Sequence, residues 1–187
     1  MGVQITTPPS STTMPQTLLA VCAILVFSFF ALNQHKANER LEQAAIGSEI
    51  ELAATDVARD QLTLITSFAY DEADVGSSTL RSDVSGLSAI GPDGGESDRS
   101  LYDDIDDFHN YIDTLSVDWY GQDIEVMATA EIRYVDPDNP DETSASPTLA
   151  KEVAVTVAEL ESNPAGRAQV MVRLIQVLTP AWQTIHG

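Results

Sequence analysis

The stretch from residue 15 to 67, PQTLLAVCAILVFSFFALNQHKANERLEQAAIGSEIELAATDVARDQLTLITS, constrains this chain more than any other. After its opening Pro15 it contains no proline. Its first part is apolar on every side. Its remainder is charged and amphipathic. At about 1.5 Å per residue, one helix of this length makes a rod of roughly 75 Å, far longer than an ordinary globular helix. Pro15 suits the first helical turn, where its missing N–H costs nothing. The sequence therefore predicts an apolar anchor continuing unbroken into a stalk.

Residues 17–32, TLLAVCAILVFSFFAL, carry no charge. That run is at the short end for a membrane span and long for a core helix segment. A cleaved signal peptide is the rival reading. It would want a positive n-region and an A-x-A-like cleavage site, and residues 1–33 offer neither, so a retained anchor is the preferred one. Lys36 and Arg40 follow the span, with Glu39 and Glu42 between and beside them. Two basic residues leave the sidedness open. From residue 34 on, Leu41, Ala45, Leu52, Val57, Leu62 and Ile65 recur at helical spacing and predict a narrow stripe suited to packing on a sheet. Gly47-Ser48 is a candidate kink.

Charge excludes one class of partner. Among 187 residues, 29 are Asp or Glu and 9 are Lys or Arg, a formal net charge of −20. Such a surface repels phosphate, so no nucleic-acid partner is expected. A halophilic source and an ordinary acidic extracytoplasmic domain fit this balance equally. Cys22 is the single cysteine, so no intramolecular disulfide and no cysteine zinc site can form.

Residues 1–14 are an uncharged Thr/Ser/Pro tail. Residues 68–100 read as a long loop rich in Gly, Ser and Asp, with one short strand expected near Ser78–Arg81. Residues 101–187 read as a sheet domain. In 123–135, Ile124, Val126, Ala128, Ala130, Ile132 and Tyr134 alternate with polar positions, as a half-buried strand requires. DPDNPDETSASP (136–147) is a turn-rich link. In 151–159, Val153, Val155 and Val157 take the buried face. After a break at 162–166, residues 167–179 predict another strand. PAWQTIHG at the end is a loose tail. Helix, loop and an antiparallel meander define an α+β fold, with the stalk covering the apolar face of the sheet.

Residues 101–121, LYDDIDDFHNYIDTLSVDWYG, are the densest acidic and aromatic patch. Asp103, Asp104, Asp106 and Asp107 offer oxygen ligands of the kind calcium takes, but DDIDD lacks the glycine turn and distal glutamate of an EF-hand loop. Asp136, Asp138, Asn139, Asp141 and Glu142 form a second oxygen-rich loop. Both read first as turns, and no metal or other cofactor is assigned. Trp119, Tyr120 and Tyr111 read as core, with an exposed binding patch as the other option. No catalytic residue is assigned. His35, His109 and His186 are scattered, and there is no G-x-S-x-G, H-E-x-x-H or phosphate-cradling glycine loop.

Two stretches resemble a known family. QTLLAVCAILVFS (16–28) resembles the start of a mature type IV pilin or pseudopilin. YDDIDDFHNYIDTL (102–115), with IRYVDP (132–137) and KEVAVTV (151–157) after it, resembles the D-type minor pilins of the MSHA (mannose-sensitive haemagglutinin) pilus. The resemblance implies a pilin-like fold. It also implies a processing junction between Pro15 and Gln16, cut by a prepilin peptidase, and an assembly helix beginning Thr17, Leu18, Leu19, Ala20. Its partners would be other pilin-like subunits. Its place would be the inner membrane, single-pass, with the acidic domain outside the cytoplasm, and then a surface filament. This chain departs from the family at Pro15, where the peptidase takes glycine, and at Ala20, where the family has a glutamate. It also lacks a basic leader and the paired cysteines of many pilins. The alternative reading is a single-pass anchored binding domain that does not polymerise.

Overall fold

A computed structural model describes residues 13–77, 79–119, 122–160 and 168–180. The chain divides into two units, Met1–Ala45 and Ile46–Gly187, with the boundary inside one long helix. The expected 1–14 tail falls outside the described residues except for the first helical positions, and the 162–166 break and the 181–187 part of the tail fall outside them entirely.

Helix α1 spans Thr13–Ile65, 53 residues, and continues through Gly47-Ser48 as one element. In the first unit its apolar side chains are exposed, among them Leu18, Leu19, Leu25, Val26, Phe27 and Phe30. α1 is long and apolar enough to cross a membrane, which fits a single-pass membrane protein.

In the second unit α1 turns one face to the sheet. Ile50, Ala54, Ala58 and Ile65 are almost fully buried there, with Val57 and Leu62 beside them. This corrects the expected stripe: Leu41 and Leu52 stay exposed. The i, i+4, i+8 series Ile50, Ala54, Ala58 sets the face, because alanine lets the helix approach the sheet closely. Ala58 has no exposed surface, so there is no room for a larger side chain. Ala58→Leu is expected to cost about 1–3 kcal/mol by overpacking, read from urea unfolding of the detergent-solubilised chain, while Leu52→Ala should change little.

The sheet has four antiparallel strands in the order β1 (Ile112–Trp119), β2 (Gln122–Tyr134), β3 (Lys151–Glu159) and β4 (Met171–Leu178). Registers are continuous: Ala128 pairs with Val157, Ile132 with Val153, and Val157 with Val172. The inner face carries Val126, Ala128, Ala130, Ile132, Val153, Val155 and Val157 and forms one core with Ala54, Ala58 and Ile65 of α1. β2 and β3 match the alternation in the sequence. β1 was not anticipated, and lies where the acidic-aromatic patch ends. The strand expected near Ser78–Arg81 is not formed at Thr79–Arg81, which is bend and coil. Arg81 instead binds Asp74 through Nε and donates to the Ser85 carbonyl, which folds the segment on itself.

Candidate functional site: a buried lysine between aspartates

The segment after α1 and the acidic-aromatic segment are tied together before β1 begins. Ala69 and Asp104 form a parallel bridge, with Ile105 N donating to the Ala69 carbonyl at 2.9 Å. Asp104 and Asp107 then hold the turn from within. Asp104 Oδ1 accepts the N–H groups of Asp106 and Asp107, and Asp107 Oδ2 accepts those of Asp103 and Asp104. Phe108 locks this turn to the core, with its ring 5.0 Å from Phe68, 5.1 Å from Tyr102 and 5.8 Å from Tyr111, all inclined or edge-on. Asn110 at φ 62 makes the sharp exit, and its N–H donates to the Ala130 carbonyl. His109 Nδ1 accepts the N–H of Ile132.

The turn delivers Asp106 into the interior opposite Lys151, the first residue of β3. Lys151 is fully buried. Its Nζ donates to Asp106 Oδ2 at 2.6 Å, to Asp71 Oδ2 at 3.2 Å and to the Tyr70 carbonyl at 2.6 Å. The Tyr70 and Tyr134 rings lie over the ammonium, with centroids at 4.5 and 5.2 Å. Ser88, from the long loop, closes the ring: its hydroxyl donates to Asp71 and lies 3.2 Å from Asp106, and its carbonyl accepts the Tyr134 hydroxyl. The loop 68–100 is thus pinned at Ser88 to the centre of the domain. Asp106 Oδ1 is buried and finds no hydrogen-bond partner among the described residues.

Four carboxyl groups, Asp71, Asp104, Asp106 and Asp107, are buried around a single lysine. Burial would raise Asp71, but Lys151 and the N–H groups of Ser88 and Ala73 outweigh it and hold Asp71 below its usual range. For Asp106, burial wins over Lys151 and pushes the carboxyl up to about 6. Burial, followed by the charges of Asp106 and Asp107, pushes Asp104 up to about 7. Burial and the neighbouring aspartates also raise the Tyr70 and Tyr134 hydroxyls, so neither tyrosine ionises near neutrality.

A group whose folded pKa lies above its unfolded value keeps its proton longer in the folded state. Its contribution is complete below the unfolded pKa and is lost as pH rises through the folded one. For Asp104 the window runs from near 4 to about 7, and for Asp106 from near 4 to about 6. The opposing change at Asp71 falls below its ordinary value and outside those windows. The midpoint of thermal unfolding is expected to be several degrees lower at pH 8 than at pH 5. Asp104→Asn keeps the oxygen that accepts the two N–H groups, and should reduce that dependence to the part that Asp106 contributes.

The sequence candidates separate in space. Asp104 and Asp107 are spent on backbone N–H groups and Asp106 on Lys151. Asp103 lies with the partly or fully exposed Glu72 and Glu96, one oxygen of each within 4.8 Å of the others. Repulsion there raises Glu72, with Asp103 as the main cause, and burial with Asp107 raises Glu96. Asp136, Asp138 and Glu142 lie in a turn in which Asp138 N donates to Asp136 Oδ1 and Asp136 N to the Glu142 carbonyl. Tyr111 is half-buried, with its hydroxyl and ring against Arg99. The side chains of Trp119 and Tyr120 lie outside the described residues. Pro15, Gln16, Thr17, Leu18, Leu19 and Ala20 are all exposed positions of α1. Sequence reasoning missed Lys151, Asp71 and Ser88. The one available signal was that Lys151 is one of two lysines in so acidic a chain.

No family model, no curated protein and no solved structure matches the chain.

Proposed function

We propose that this chain is a membrane-anchored, pilin-like structural subunit, a minor pilin or pseudopilin of a type IV pilus or type II secretion-like filament. The reading is carried by α1. The helix runs unbroken from an exposed apolar segment at 17–32 to a small-residue face at Ile50, Ala54 and Ala58 that packs on a four-stranded antiparallel sheet. An apolar helix that sits in lipid as a monomer has the same surface to offer a neighbouring helix once it is extracted. Its action is assembly rather than catalysis. Helices of several subunits bundle, and the acidic sheet domains stay in water outside the cytoplasm. The 102–115 segment, which resembles that of the MSHA D-type minor pilins, then serves as the internal brace of the head.

N-terminal sequencing of the protein extracted from native membranes tests the reading. A chain beginning at Gln16 is expected, cut by a prepilin peptidase that accepts Pro15. A chain beginning after Leu32 overturns it, because the assembly helix would then be a discarded signal peptide.

A further inference from the structure

Lys151 and Asp106 meet under conditions that favour more than an ion pair. Nζ lies 2.6 Å from Asp106 Oδ2, one bond from the carboxyl carbon. The lysine side chain has no exposed surface, and neither does that of Asp71; that of Asp106 is 1% exposed. Two tyrosine rings and the Tyr70 carbonyl enclose the amine. Asp71 Oδ2 lies 3.2 Å from the same nitrogen, within reach of its protons. The second oxygen of Asp106 has no hydrogen-bond partner among the described residues.

We propose that Lys151 and Asp106 condense into an intramolecular amide, with Asp71 relaying a proton from the amine to the departing hydroxyl. The Lys151 ammonium gives one proton to Asp106 Oδ2, the more basic of its two carboxylate partners, which leaves a neutral amine beside a carboxylic acid. The freed lone pair attacks Cγ of Asp106, and the N–C bond forms. Asp71 takes a second proton from Nζ and hands it to the departing hydroxyl, the Cγ–O bond breaks, and water leaves. Nothing is oxidised or reduced, and one water is released.

Three physical factors drive this step. Fixed neighbours react with effective concentrations on the order of 10⁵–10⁸ M. A desolvated lysine beside a base is the usual form of an activated amine nucleophile. Burying an ammonium and a carboxylate costs several kcal/mol per ion, and a neutral amide carries no such cost. The proton balance also fits, because Asp106 is pushed up to about 6 while Asp71 stays ionised. The bond would staple the turn before β1 to the first residue of β3, 45 residues on. It would give a covalent brace to a domain whose sole cysteine lies in the anchor and cannot supply one.

The test is mass spectrometry of the full chain, purified in detergent and denatured, followed by proteolysis. A mass one water below that calculated from the purified chain's own N-terminus is expected, together with a branched peptide joining Asp106 to Lys151. Lys151→Arg and Asp71→Asn are each expected to restore the full mass. An unmodified mass in the folded wild-type protein overturns the proposal. So does a water loss that maps elsewhere, such as an imide at Asp93-Gly94. The wild-type peptide decides the matter even if a variant fails to fold.

Discussion

Lys151→Met is expected to destabilise the sheet domain by roughly 3–5 kcal/mol, the typical cost of removing one partner from a buried charge pair. The substitution keeps a similar apolar volume but leaves Asp71 and Asp106 facing each other and Ser88 with no cation, in a site with almost no solvent access. It also removes the ring contacts to Tyr70 and Tyr134. If the two side chains are condensed, the loss of the covalent brace adds to this cost. Combining Lys151→Met with Asp71→Asn and Asp106→Asn removes the stranded charges and should recover much of the stability. That non-additivity separates charge from packing. Urea unfolding of the solubilised full chain reads both. A loss below about 1 kcal/mol in the single variant would mean that the buried cation does not hold the domain together.

Charge placed in the anchor should have the other large effect. Leu25 and Val26 sit in the middle of the apolar part of α1 and are 64% and 70% exposed, so no protein surface shelters them. Replacing both with aspartate costs about 2.5–3.5 kcal/mol each at the centre of a spanning helix. Together that is enough to abolish stable retention. Alkaline extraction of membranes should move the double variant to the soluble fraction and leave the wild-type protein in the pellet. A Leu25→Ala, Val26→Ala control should stay with the membrane. If the aspartate variant also stays, residues 17–32 are not the anchor.

The elements with strong periodicity were legible in the sequence. α1 runs Thr13–Ile65 where 15–67 was expected, and β3 covers the residues read as a strand. β2 shows its alternation because Ile124 to Tyr134 faces the core at every second position. β1 hid because its inward row is Asp113, Leu115 and Val117. The Asp113 carboxylate, which breaks the apolar pattern, is paired with Arg99 from a segment that precedes the strand. The stalk stripe held at Val57, Leu62 and Ile65 and failed at Leu41, Ala45 and Leu52, because leucine outweighs alanine in any hydrophobic pattern. The helix–sheet contact selects for small volume at Ala54 and Ala58 instead. The buried centre was illegible for a different reason. A lysine opening a strand reads as a solvated charge, and its partners Asp71 and Asp106 stand 80 and 45 residues away in segments that look like ordinary acidic loops. Within the DDIDD run, the fold uses Asp104 and Asp107 for backbone N–H groups and Asp106 for the chain's own lysine, while Asp103 lies with Glu72 and Glu96.

The claim that α1 is an assembly surface is tested most directly by photo-cross-linking from within it. A photoreactive residue at Leu19, which is 72% exposed, is introduced into the full chain and irradiated in native membranes and in sheared surface material. A ladder of covalent multimers joined through the 15–33 segments of pilin-like subunits is expected. Adducts to lipid alone, with the protein remaining monomeric in both fractions, would contradict it and leave an anchored domain that does not polymerise.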